Sequence, residues 1–117
     1  MLAGTGVALG AFGAHALEER LSVELLAVFE TGARYHLIHG VAVLAVAVLL
    51  STWPGRVGRL GGWFLVAGTA VFSGSLYVLA ISGVTVWGAV APVGGLLLLS
   101  GWACLAVHMW RQTRQPD

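Results

Sequence analysis

The chain has 117 residues, of which 58% are hydrophobic and only 9% charged, with a formal net charge of +1. A soluble domain of this size exposes much of its surface to water and carries about 25% charged residues, so the composition excludes that class. It equally excludes a disordered chain, which needs low hydrophobicity and high charge. A basic nucleic-acid binder is excluded by the absence of lysine and of any basic stripe. The single cysteine, Cys104, excludes an internal disulfide framework and a cysteine-based zinc site. The remaining class is an integral membrane protein of one domain, residues 1–117.

Eleven charged residues punctuate the chain, at 18–34, at Arg56 and Arg59, at Arg111 and Arg114, and at Asp117. Long uncharged runs lie between them. A crossing helix needs about 20 apolar residues. The first run, 1–17, is slightly short for a span. Its Ala14-His15-Ala16 imitates a signal-peptidase site, but no basic region precedes it. Gly4-Thr-Gly6-Val-Ala-Leu-Gly10 imitates a dinucleotide loop with one residue too many, and no strand leads into it. The glycines Gly6, Gly10 and Gly13 recur at helical spacing and predict close helix packing, because small residues let backbones approach within lipid.

Projected at 100° per residue, 20–39 places Arg20, Glu24, Glu30, Thr31 and Arg34 on one arc. Leu21, Leu25, Val28, Phe29, Gly32 and Tyr35 fall on the other. This pattern predicts an amphipathic helix running into span 2, residues 36–53, which Pro54-Gly55 closes. Glu30 and Arg34 stand at i, i+4 in the favourable order and can pair. His36 and His39 lie on the apolar arc, and His15 ends span 1 on the same side of the membrane.

Residues 60–110 contain no Asp, Glu, Lys or Arg and must turn once. Span 3 is predicted at 60–82, with Gly74 among its packing residues, and span 4 at 91–110, with Pro92 in its first turn and Gly94 and Gly95 facing a neighbour. A helix starting at 85 and kinked at Pro92 is the alternative. His108 is expected at the interface, remote from the other histidines. The fold class is therefore an all-α integral membrane four-helix bundle, with an amphipathic segment leading into span 2. Four spans gather Arg56, Arg59, Arg111 and Arg114 on one side, against Arg20 and Arg34 on the other. The positive-inside rule then places both termini in the cytoplasm.

His15, Glu30, Arg34, His36, His39 and Tyr77 form the candidate polar cluster. Its first reading is a hydrogen-bonded set holding helices together, in a structural or accessory membrane protein that acts through helix contacts, as a homo-oligomer or with other membrane proteins. The second is a proton or substrate path in a small oligomeric transporter or channel component, since ionisable groups within a membrane often mark one. The third is a metal or haem site on His15, His36 and His39, for which no short ligand motif speaks. No cofactor is implied. No Ser/His/Asp set suits catalysis, because the only Asp is Asp117.

Gly10-Ala-Phe-Gly-Ala-His15-Ala-Leu, Arg34-Tyr-His36-Leu-Ile-His39-Gly, Phe72-Ser-Gly-Ser-Leu-Tyr77 and Ala91-Pro-Val-Gly-Gly95 with Gly101-Trp102 occur in that order. Together they resemble the small bacterial membrane proteins of domain of unknown function 423, the YgdD/YwdK-like family related to transmembrane protein 256. The resemblance covers nearly the whole chain. It implies a four-helix inner-membrane protein without an established molecular activity, and it supplies no catalytic or ligand residues. Similar proteins have a few more apolar residues before the first motif. An upstream in-frame extension is therefore expected, and N-terminal mass spectrometry finding Met1 as the natural start would refute it.

Overall fold

The computed structural model describes residues 1–114, apart from the Ala14 side chain. Asp117 lies outside the described residues. The helices are α1 (Leu2–Phe12), α2 (Val23–Thr52), α3 (Arg56–Ser82) and α4 (Ala91–Thr113). A π-helical turn, Gly13–Leu17, extends α1, and a 3₁₀ segment, Thr85–Ala89, precedes α4. The chain is thus an all-α four-helix membrane protein. Val23–Thr52, Arg56–Ser82 and Thr85–Thr113 are long and apolar enough to cross a bilayer, whereas Leu2–Leu17 is a shorter apolar helix.

The helix ends follow local chemistry. Residues 18–21 form the turn between α1 and α2, so Arg20 sits in a turn and not on the amphipathic helix predicted from 20. The cause is Ser22, whose Oγ accepts the Leu25 N–H at 3.2 Å and caps α2. Its first-turn Glu24 carboxyl is held below the usual range by its own backbone N–H and then by the Ser22 hydroxyl. Pro54 and extended Gly55 stop α2 before α3 begins. Gly83 ends α3 in the left-handed conformation, φ +68°, which glycine adopts without a Cβ penalty. Pro92 occupies the first turn of α4, where its missing N–H leaves no bond unmade.

Packing is sequential. Helix α1 lies on α2, α2 on α3, and α3 on α4, with no close backbone approach of α1 to α3 or α4 among the described residues. The pairs are antiparallel: Gly6 lies against Leu37 and Gly40 against Ala3, while Gly13 meets Phe29. Met1 therefore starts near the middle of α2, and α1 accompanies only the half of α2 that carries the glutamates. With 30 residues, α2 reaches about 45 Å, longer than about 30 Å of hydrocarbon. Its charged first turns, with Glu24, Glu30 and Arg34 exposed, extend past the apolar layer.

Two apolar cores result. Leu17, Phe29 and Ala80 are buried together near the glutamate end. Val46, Leu65, Leu98 and Leu105 are buried together towards the arginine end. The seam between α3 and α4 is built on glycine. A Cβ at Gly68 would stand 2.8 Å from the Leu98 nitrogen, and one at Gly94 would stand 2.6 Å from Phe72 Cα.

Candidate functional site

Between the two cores lies a belt of hydrogen-bonding side chains. It contains two separate links, each centred on a histidine of α2. The first joins α3, α2 and α1. Tyr77 Oη stands 3.1 Å from His36 Nδ1, and His36 Nε2 stands 3.2 Å from Thr5 Oγ1. Proton directions follow from counting donors. The Thr5 hydroxyl has one proton and donates it to the Leu2 carbonyl at 2.9 Å. Its oxygen must then accept from His36 Nε2–H, which leaves Nδ1 to accept from the Tyr77 hydroxyl. Tyr77 is seated by the Phe29 ring, 4.9 Å away between centroids, and by Gly32, where a Cβ would stand 3.1 Å from the Tyr77 ring.

The second link joins α2 to α4. The Trp102 indole N–H donates to His39 Nε2 at 3.2 Å. Indole nitrogen can only donate, so Nε2 accepts and the proton sits on Nδ1, which donates to the Tyr35 carbonyl at 2.8 Å. His39 is 6% exposed, and both ring nitrogens are engaged. The Tyr35 ring stacks on it at 5.8 Å and touches Phe72 at 4.5 Å.

The structure brings together only part of the predicted cluster. His36 and Tyr77 meet directly. His39 is buried beside them in the chain but turned to Trp102. His15 is exposed on the π-helical turn, level with the start of α2, so the three imidazoles do not meet. Among the described residues no three His, Cys, Asp or Glu side chains converge as a metal site. Glu30 and Arg34 are both exposed, and no ion pair joins them among the described residues. Of the predicted packing glycines, Gly6, Gly13 and Gly94 each face a neighbouring helix. Gly10, Gly74 and Gly95 have open space where a Cβ would go, so they pack against no neighbour among the described residues.

His108 is remote from the other histidines, as its place near the end of α4 predicts. It stands level with Trp53 at the arginine end, and it is buried there among the helices, 3% exposed. Its Nε2 bonds the Trp53 carbonyl at 2.9 Å, satisfying an acceptor at the end of α2. Its ring lies over Gly55 and Gly58, where a Cβ would come within 2.6 and 2.8 Å. The sequence clue was the spacing of Gly55 and Gly58 beside a proline turn, which leaves a ring-sized gap. Thr5 and Trp102 were also missed as partners. Their hydrogen-bonding groups were visible in sequence, but their helix faces could not be matched without the packing. Ser75 returns its proton to the Phe72 carbonyl at 2.8 Å, as hydroxyls in membrane helices do, whereas the buried Ser73 Oγ has no partner among the described residues.

The links run from helix to helix and not along the helices. Beyond His39, α2 carries only apolar side chains and glycine from residue 40 to 50. This arrangement can hold helices in register. It offers no ladder of ionisable groups towards the arginine end.

The family described as "Protein of unknown function (DUF423)" matches residues 9–95, from just before the first sequence motif to Gly95. Among similar chains, a UPF0382 membrane protein of Staphylococcus saprophyticus is 42% identical over 90% of this chain and 87% of its own length. The UPF0382 membrane protein YwdK of Bacillus subtilis is 39% identical over 86% of this chain and 83% of its own. The UPF0382 inner membrane protein YgdD of Escherichia coli K12 is 40% identical over 93% and 83%. No solved structure gives a significant match.

Proposed function

The chain belongs to the DUF423 family of multi-pass membrane proteins, and on that footing we propose that it acts as a non-catalytic helix-bundle protein of the bacterial inner membrane. The supporting observation is the closure of the two imidazoles in the middle of α2. His36 and His39 each spend both ring nitrogens on bonds to other helices or to backbone, so neither presents a free lone pair or a transferable proton to a ligand. Four arginines at one end, against two basic residues accompanied by four glutamates at the other, favour placing the arginine end and the C-terminus in the cytoplasm.

Purified protein in proteoliposomes tests the activity. Proton or cation flux no greater than that of empty vesicles is expected. A flux lost on His36→Ala would overturn the reading. In cells, His39→Ala should lower abundance while His15→Ala leaves it unchanged, as measured by quantitative immunoblot. The reverse order would contradict the structural role of His39.

A further inference from the structure

Of three grooves that open on the bundle surface among the described residues, one has a charged group in its lining. The groove between α2 and α4, about 360 Å³, is walled by apolar side chains and the Trp102 ring. A second, about 310 Å³, opens on the His39–Trp102 link, whose polar atoms already serve each other. The third, about 260 Å³, runs between α2 and α3 with Val43, Leu50, Gly62 and Val66 in its walls and Arg59 among its lining residues.

The register of the two helices places Arg59 at one end of this groove. Leu50 lies against Gly58, and Val46 against Gly62, so Leu50 and Arg59 share the outer end while Val43 and Val66 share the inner one. Seven residues of helix make the groove about 10 Å long, within one leaflet of about 15 Å. Trp63, four residues after Arg59 and 71% exposed, borders the same groove, and exposed Trp53 and Trp110 stand near the same end of the bundle. Tryptophans at such a level mark headgroup depth. Arg56, Arg59, Arg111 and Arg114 are all exposed at this end, and no described acidic side chain accompanies them. Two arginines in the first turn of α3 also oppose the helix dipole, a placement that an anion relieves.

We propose that this groove binds an anionic phospholipid, with the phosphate on the Arg59 guanidinium and an acyl chain lying between α2 and α3. A guanidinium matches phosphate in charge and in its forked donor geometry. The apolar groove leading from it suits a chain that descends from the same molecule, which a free anion lacks.

The test uses the full chain in a neutral maltoside detergent, titrated with phosphatidylglycerol or phosphatidylcholine carrying the same oleoyl chains, with bound lipid read by native mass spectrometry. Phosphatidylglycerol should bind at least about tenfold more tightly, as one charge-assisted contact implies. Arg59→Gln should abolish that preference, and Arg114→Gln should keep it. Ala47→Trp, on an exposed groove residue, should weaken phosphatidylglycerol binding without any change of charge, and it remains informative should Arg59→Gln fail to fold. Equal binding of the two lipids would overturn the proposal. So would a preference that survives Arg59→Gln, or unchanged binding in Ala47→Trp. Displacement of the lipid by millimolar inorganic phosphate would overturn it in favour of a simple anion site.

Discussion

The two outer helices, α1 and α4, are held to the bundle to different extents. Along most of its length α4 meets α3 backbone to backbone, over Gly61, Gly68, Gly94 and Gly101, and towards the arginine end α2 closes the core with Val46. Towards the glutamate end, α1 rests on α2 through close backbone approach at Gly6 and Gly40, through the Phe29 ring over Gly13 and through the Thr5–His36 bond. The molecule is thus two overlapping three-helix assemblies that share α2 and α3. Helix α4 is fastened over four glycines along its 23 residues, and α1 over two along its 11, with the Thr5–His36 bond beside them. In lipid there is little hydrophobic drive between helices, so close dispersion contact over several glycines should outweigh an isolated hydrogen bond.

Substitutions can break that contrast in graded steps. Gly94→Ala places a methyl group 2.6 Å from Phe72 Cα, where backbone must move. It should cost about 3 kcal/mol of unfolding free energy, the range for overpacking a tight interior. Denaturation in mixed micelles reads the loss, and a change below about 0.5 kcal/mol would mean that the seam is loose. His108→Ala leaves the Trp53 carbonyl without its partner and opens space over Gly55 and Gly58. The same assay should show about 1–2 kcal/mol, the cost of an unpaired backbone group. Thr5→Val keeps the shape and removes the bond to His36 together with the local one to the Leu2 carbonyl. It should cost about 0.6 kcal/mol, with faster hydrogen exchange confined to α1. An effect as large as that of Gly94→Ala would erase the distinction between the two helices.

Much of this was legible in the sequence. Long runs free of charge gave the helices, and Pro54-Gly55, Gly83 and Pro92 gave their ends. The link from His36 to Tyr77 was within reach, because both were recognised as polar groups in apolar spans. Other features depended on rotation and depth, which a one-dimensional pattern does not carry. Ser22 capping started α2 after Arg20 and removed that residue from the amphipathic face. The π-helical turn at Gly13–Leu17 left His15 exposed and away from the other imidazoles. The depth of His108 followed from its position, but its burial did not, since Gly55 and Gly58 make room for its ring from another part of the chain. Gly10, Gly74 and Gly95 shared the spacing of packing glycines but face open space, since spacing along one helix does not say where its neighbour lies.

The central claim is that His36 and His39 are closed hydrogen-bonded links between helices. Nitrogen NMR of the imidazoles in the lipid-embedded, histidine-labelled protein tests it most directly. Two different fixed neutral tautomers are expected: the proton on Nδ1 in His39, because Trp102 donates to Nε2, and on Nε2 in His36, because Tyr77 donates to Nδ1. Trp102→Phe should release the first and leave the second unchanged. Rapid exchange between tautomers at both sites in the unmodified protein, or resonances displaced by added zinc, would contradict the claim.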